Sequence, residues 1–585
     1  MVNTHQRRQF TWLIASFLAM LTGCSPNFHK QDADKEVYNI IDSKWRPKFG
    51  EKANYIVADS NLPAPNDVNV AKPFMLDKPM TLAQAVAIAT KYNRDYQTQK
   101  EQLYLTALNL TGERYKYAFQ WFATVDAEYT KTGEFTEDTD STAKAEAGVS
   151  RTFLTPQGVI INSALKIDWA RFLTGDPRTT LASLLTADLD IPLLGNGGGK
   201  AAWENLTQAE RNVLYQVRMF NRFRQTFVVS VINDYYRVLQ QKDRVTNAKN
   251  NWNSSIEARK QAEMEAKTGR SAAFEVAQAQ QRELVAYNGY VLTIQSYEQT
   301  LDSFKIRLTI PTNVPLVLDQ NELEALTNLA TIEHTYTADA AIETALLMRL
   351  DLANAVDGID DSLRKATLAA EGLGPQLDLT ASAAVKSTPP RDADRLEFHR
   401  GAYTAGASLD LPLDRKNQRN TYRATLLTLQ QSQRDYDDTV DSVMFDVRQA
   451  FRQLEATAEQ YIIQKKSLAL AEDRVKNTTL LLKLGRVQMR DLLDAQDSLL
   501  QAQNDLTSAL VGHTIAKLTF YRDVGILQVK PDGMWAQSPQ GAQSDPKRIA
   551  GPALDTQVSA APVSETVTGK TTNEREPVNQ SADNL

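Results

Sequence analysis

Five histidines, one cysteine and a glycine-rich heptapeptide are the residues that first invite a chemical reading. His5, His29, His334, His399 and His513 share no metal-ligand spacing, and neither His-Glu-x-x-His nor Gly-x-Ser-x-Gly occurs. His513 falls in a helical pattern and reads as a packed or solvated helical residue. The heptapeptide Leu194-Gly-Asn-Gly-Gly-Gly-Lys200 fails as a phosphate loop. Leu194 stands where the first glycine belongs, and Ala201 follows the lysine in place of Ser or Thr. It reads as a flexible exit from strand to helix. No catalytic residue, cofactor or metal is expected, and the chain does not read as an enzyme. What remains is charge placed where helices begin. Gly485-Arg486-Val-Gln-Met-Arg-Asp491-Leu-Leu-Asp494-Ala-Gln496 breaks a long helical pattern at its glycine and restarts it with two carboxylates. A degenerate copy runs Gly269-Arg270-Ser-Ala-Ala-Phe-Glu275-Val-Ala-Gln278-Ala-Gln280. Glycine, arginine, the acid six residues on and the Ala-Gln pair recur in register. These are the tips of two helix hairpins in a duplicated chain, and acids at such helix starts are favoured by the helix dipole.

The elements that position the tips are long. Leu206, Ala209, Val213, Val217, Phe220, Phe223, Phe227 and Val231 step by three or four, and no proline interrupts residues 200–267. At 1.5 Å per residue this predicts a rod of roughly 100 Å. A return helix carries Tyr287, Tyr290, Ile294, Tyr297, Leu301 and Phe304 near heptad spacing, ended by Pro311 and Pro315. The second half repeats the plan: a helix from about Ala338 to Gly372, a long helix from about Lys416 to Leu484, and a return helix to about Val524. Ahead of each long helix the period changes to two. Trp121, Ala123, Val125, Ala127 and Tyr129 alternate with Phe122, Thr124, Asp126 and Glu128. Similar alternation marks 158–170, 181–193, 376–386 and 403–411, and less cleanly 143–154, where Arg151 falls on the apolar side. Long charged loops are expected at 131–142, 171–180 and 388–400, and a tight turn at Thr155-Pro156-Gln157-Gly158. Long loops at one end and a short turn at the other suit a transmembrane barrel, with Trp121, Trp169 and Tyr403 as interface aromatics.

Bulk properties bound the answer. Of 585 residues, 23% are charged and 42% hydrophobic, and the formal charge of −6 leaves no basic footprint for nucleic acid. Past the N-terminus no stretch reaches the ~18 apolar residues of a spanning helix, so any bilayer crossing must use strands. Arg7 and Arg8 precede an apolar run from Phe10 to Leu21 that ends Leu21-Thr-Gly-Cys24. That is an export signal. Residues 25–76 are polar and are expected to form an ordered but irregular segment. The tail from Pro531 to Leu585, rich in Ser, Thr, Gln, Pro and Asn, has little to bury and is expected to be disordered.

Two resemblances follow. The small residues before Cys24 resemble the lipobox of bacterial lipoproteins, which implies acylation of Cys24 and, with Ser25 next, the outer membrane. The duplicated helix–strands–long helix–tip–helix plan over about residues 80–525 resembles the TolC-like outer-membrane efflux family. The matches are Thr81-Leu-Ala-Gln-Ala85 with Lys91-Tyr-Asn93, Arg349-Leu-Asp-Leu352, Leu189-Asp-Ile-Pro-Leu193, Leu409-Asp-Leu-Pro-Leu413 and the tip Gly485–Gln496. The fold so implied is mainly α with a β-barrel part: a trimeric transmembrane barrel on a long periplasmic α-helical barrel. The implied segments are a signal peptide at 1–23, an anchor segment at 24–79, a first repeat at 80–310 with strands about 119–193 and a tip about 267–272, a linker at 311–337, a second repeat at 338–525 with strands about 375–411 and a tip about 483–488, and the tail 526–585. The implied function is the passive outer-membrane duct of a tripartite efflux or secretion system, with a periplasmic adaptor, an inner-membrane pump and outer-membrane lipid as partners. A structural coiled-coil envelope lipoprotein is the alternative. The resemblance implies a gate ring of Asp491 and Asp494, with Glu275 as the first-repeat tip acid, and adaptor docking at Gly269, Arg270, Gly485 and Arg486. The chain departs from the family by up to four strands in the first repeat. Either the shared barrel has 18 strands in place of 12, or the hairpin at 143–170 extends outside the membrane.

Overall fold

The computed structural model describes residues 25–46, 52, 55–57, 79–133, 139–155, 157–172, 179–195, 200–269, 272–329, 337–388, 392–411 and 413–529. The chain divides into two units, Met1–Ser538 and Pro539–Leu585, and every described residue belongs to the first. Cys24, Arg270, His5, His334, the export signal and the tail from Pro531 lie outside the described residues.

The first departure from expectation comes at once. Residues 26–44 are not irregular but form helix α1 (Pro26–Lys44), with a proline in its first turn. Its buried stripe is short, only Val37, Ile40 and Ile41, and packs on the helices that follow. A stripe one turn wide leaves little periodic signal in a polar stretch. The expected helix over Met80–Ala118 is two helices, α2 (Leu82–Tyr92) and α3 (Arg94–Tyr115). Asn93 makes the break: it ends α2 in extended conformation, and its side chain accepts from the Tyr96 N–H to cap α3. The Asn93 amide also donates to the Arg307 carbonyl at 2.8 Å, fixing the bend against the end of the return helix.

Four strands follow as consecutive antiparallel hairpins: β1 (Gln120–Gly133), β2 (Thr139–Leu154), β3 (Ile160–Phe172) and β4 (Thr179–Leu194). The strands extend through much of what read as loops at 131–142 and 171–180, because Thr, Lys and Asp on a polar face do not break a ladder. Helix α4 (Lys200–Lys267) and its return α5 (Ala273–Arg307) make the first hairpin. The expected linker contains a helix of its own, α6 (Asn321–Leu329). The second repeat opens with α7 (Ala338–Met348) and α8 (Leu350–Glu371), again two helices where one was expected. The break falls at Arg349, whose guanidinium bonds Asp351 and Asp446. Strands β5 (Gln376–Thr388) and β7 (Ala402–Asp410) follow, with a short β6 (Asp392–Leu396) and one 3-10 turn in the expected loop 388–400. The long helix α9 (Lys416–Lys483) and its return α10 (Met489–Val524) finish the repeat. At 68 residues each, α4 and α9 are about 100 Å long.

One sheet holds all the strands. Its order is β1-β2-β3-β4-β5, with β7 and the short β6 both on β5, so β4–β5 joins the two repeats. A hydrogen-bonded row that starts at Trp121, near the helix end of β1, passes through Arg151, Ser163, Ala187 and Ala383 to Tyr403, at the far end of β7. Such stagger is what closing a sheet into a barrel requires. The long helices pack in the order α5–α4–α10–α9. The main core gathers under the sheet, where α1, α2 and α3 cover α4 around Phe220, Phe227, Ile232 and Tyr235. A second core joins α7, α9 and α10 through Val443, Val447 and Phe520.

Candidate functional site

The sheet is built so that residue parity decides the face. Odd-numbered residues make one face through all six long strands: Trp121 pairs with Arg151, Val149 with Leu165, Leu165 with Leu185, Leu185 with Val385 and Ala381 with Ala405. Even-numbered residues make the other: Asp126 pairs with Glu146, Glu146 with Asp168, Asn162 with Asp188 and Asp190 with Thr380. A slip of one residue anywhere would have mixed the faces. No slip occurs until the bulge at Pro192/Leu194. The apolar face stands open, with Trp121, Val125, Tyr129 and Tyr403 each about 60% exposed. On the polar face Lys166 bonds Glu146 at 2.7 Å. Arg151, the charge that fell on the apolar side, lies over the ring of Phe119 at 3.6 Å and nearer the edge of the sheet faces Trp121 at 5.1 Å. Its cation is held by ring faces at the helix end of the wall.

At the other end of the rods the two tips are brought together. Gly269 and Gly485 both adopt left-handed backbone, φ +75° and +65°, which a side chain would strain. At the second tip the Gly485 N–H donates to the Leu482 carbonyl and the Arg486 N–H to Leu481, satisfying two carbonyls that the ending helix leaves free. Ala258 and Ala262 of α4, Ala279 of α5, Leu482 of α9 and Met489, Leu492 and Leu493 of α10 form one small core that ties the hairpins to each other. Small residues at 258, 262 and 279 let the helices approach closely.

Asp491 and Asp494 sit on the opposite, exposed face of α10. Their situations differ. Asp491 accepts a hydrogen bond from the Gln488 N–H at 3.0 Å and so caps its own helix. Among the described residues the Asp494 carboxylate makes an open contact with Arg490 at 3.8 Å. Glu275 is half-buried in the first turn of α5. Arg486 and Gly485 are exposed. The tip residues lie far along the chain from the strands, and no group of three potential metal ligands occurs among the described residues.

Sequence reasoning missed the ion pairs that hold the two repeats together. Arg282 of α5 pairs with Asp497 of α10 just above the tips. Higher up, Arg211 and Arg218 of α4 engage Asp361 and Asp357 of α8 at 2.5 Å, and Arg364 bonds Glu204 at 2.6 Å. Tyr215 donates to Asp361 at 2.7 Å, and burial, helped by that carboxylate, pushes its phenol up to about 12. Arginines stepping 211, 218 along α4 and acids stepping 357, 361 along α8 were the available signal. Their meeting depends on tertiary packing between repeats. His513 is buried on α10 beside Thr457.

Comparison with known proteins agrees with this architecture. Residues 341–523 match the family described as outer membrane efflux protein. Among solved structures the chain resembles CusC, described in work on transmembrane channel formation, with a TM-score of 0.56 and 13% identity over 76% of this chain and 92% of that one. The CmeC outer membrane channel of Campylobacter jejuni gives 0.54 and 14% over 76% and 85%. The open state of the MtrE outer membrane channel of Neisseria gonorrhoeae gives 0.54 and 15% over 76% and 88%. At such identities the likeness establishes the fold. No curated protein matches in sequence.

Proposed function

For a chain whose residues 341–523 match the outer membrane efflux protein family, we propose the role of a passive export duct: three copies close their sheets into one barrel in the outer membrane and their hairpins into one helical tunnel below it. The observation that carries this reading is the parity of the sheet, kept up to the bulge at Pro192/Leu194, apolar on one face and charged on the other across strands from both repeats. A lipid-facing surface backed by a wet one is what a barrel wall needs. No helix among the described residues is long and apolar enough to cross a membrane. One copy cannot enclose water with six long strands, because both outer edges of the sheet stay unpaired. The helical layer has the same two open edges, α5 and α9.

Within this reading Asp494, and with it Asp491, lines the narrow end of the tunnel. Six carboxylates in a ring of three copies favour cations and resist close approach of the tips. Exposed Gly269, Gly485 and Arg486, together with Arg270, which lies outside the described residues, are the proposed docking points for a periplasmic adaptor that connects to an inner-membrane pump. Acylated Cys24 is the proposed lipid anchor. The chain itself moves cargo without chemistry. Planar-bilayer conductance tests the proposal: purified protein should give small cation-preferring steps, and Asp491→Ala with Asp494→Ala should weaken that preference. A folded protein that never conducts would instead support a purely structural envelope lipoprotein.

A further inference from the structure

We propose that the β2–β3 hairpin is part of the lipid-facing wall, so that each copy supplies six long strands and the closed barrel carries eighteen. The proposal rests on the duct reading above and assigns the hairpin a place that the resemblance left open.

Pairing is the first argument. Strand β1 has one partner in the sheet, β2, and β4 takes β3 on its other side. Were the hairpin outside the bilayer, β1 would lose its whole ladder, and each unpaired backbone group in hydrocarbon costs several kcal/mol. The second argument is depth. On β1, Trp121 stands at the helix end of the apolar face and Tyr129 at the far end. The hairpin carries the same pair of markers, Phe153 at the helix end of β2 and Trp169 at the far end of β3, with Phe153 stacked on Phe119 at 4.4 Å. Arg151 and Arg171, the two cations on the odd face of the hairpin, fall at opposite ends of it and leave only Ala, Val, Leu, Ile, Trp and Ser between them. Aromatic girdles with cations at both edges are how a strand registers against a bilayer. Length fits as well: β2 has 16 residues and β3 has 13, against the ~9–11 that a tilted strand needs.

The third argument is the turn. Thr155 and Val159 close it with a 2.8 Å hydrogen bond, and Gly158 takes φ +81°. A Cβ on Gly158 would stand 3.3 Å from Pro192 Cγ and 3.6 Å from Ala202 Cβ. The turn therefore seats on the end of β4 and the first turn of α4, where the wall meets the rods. With a spacing of about 4.8 Å and a tilt of about 40°, eighteen strands give a backbone diameter of about 36 Å and twelve give about 24 Å. The wider ring passes cargo of larger cross-section, so this duct fits bulky solutes or polypeptide better than a narrower member of the same fold would.

Single cysteines read out the hairpin's position. In lipid vesicles, fluorophores on Leu165→Cys and Ile167→Cys should be quenched by bromolipid, while Asn162→Cys and Lys166→Cys react with a membrane-impermeant thiol reagent. Leu379→Cys on β5 is the reference for a wall strand. Quenching at Leu379→Cys with none at Leu165→Cys and Ile167→Cys would overturn the proposal and leave the duct intact. No quenching at any of the three would overturn the membrane reading itself and the proposal with it.

Discussion

Helices α4 and α9 have the same length and the same place in their repeats, yet one is clothed and the other bare. Along α4 the only large apolar side chains left exposed are Met219 and Met264. Along α9, Phe445, Ile462, Ile463, Leu470 and Leu480 all face outward, each more than 45% exposed. Neighbours explain the difference. Helix α4 is flanked by α5 and α10 and covered near the sheet by α1, α2, α3 and α8, whereas α9 has α10 on one side and α7 and α8 only over its half nearer the sheet. Helix α5, at the opposite edge, is bare in the same way at Leu284, Val285 and Leu292. Two apolar edges on one body, matched by two open strand edges above them, suit the head-to-tail interface of the proposed ring. The comparison teaches that the helix at the centre of the layer is covered within the chain, while each repeat leaves one helix edge open for the proposed neighbouring copies.

The largest effect that breaks this contrast is on assembly. Phe445→Asp with Leu470→Asp should convert the proposed trimer to single copies in native mass measurements, while Met264→Asp on the clothed helix should leave that trimer intact. Next comes the seam between repeats. Asp361 is almost fully buried between Arg211 and Arg364. Asp361→Ala removes one acceptor from each, and the Tyr215 hydroxyl's acceptor, while Arg364 keeps Glu204 and Arg211 keeps Asp357, at a cost of about 2 kcal/mol in denaturant unfolding. A third test concerns what covers α4. Lys100 of α3 is buried, and burial lowers its ammonium to about 8, below the unfolded value of about 10.4. The folded chain therefore sheds this proton before the unfolded chain does, and stability rises with pH between about 8 and 10.4. Lys100→Met should stabilise by about 2 kcal/mol at pH 7, and the gain should shrink toward pH 10 as the parent recovers. Melting curves at three pH values check both the sign and the window.

The smallest effects separate the two tip aspartates. Asp491→Ala removes a helix cap and should cost about 1 kcal/mol of local stability, visible as faster amide exchange around Gln488. Asp494→Asn breaks no cap, so it should alter ion selectivity while leaving exchange unchanged.

Much of this plan could be read from residues alone, for physical reasons that vary along the chain. The long helices announced themselves because a stripe such as Val213, Val217, Phe220 repeats over many turns. The tips showed through Gly269 and Gly485, since left-handed backbone leaves few residues to choose from. Strand parity showed as well, although β2 was blurred by Ala and Gly at 143–148 and by Arg151, whose aromatic partners Phe119 and Trp121 lie just before β1 and on it. Boundaries were less legible. Asn93 and Arg349 interrupt helices with side-chain bonds to distant residues, Arg307 and Asp446, that local pattern cannot contain. Helix α1 owes its order to the surface it covers, and β6 to a few contacts at the far end of β5. The Arg211–Asp361 seam joins residues 150 apart in a polar stretch, so only the folded chain reveals it.

Electron cryomicroscopy of the purified protein in a lipid nanodisc tests the central claim most directly. The account predicts three copies around one axis, a belt of eighteen strands within the lipid, and paired rods of about 100 Å projecting from it to a common tip. Single copies with the sheet lying outside the lipid disc would contradict it.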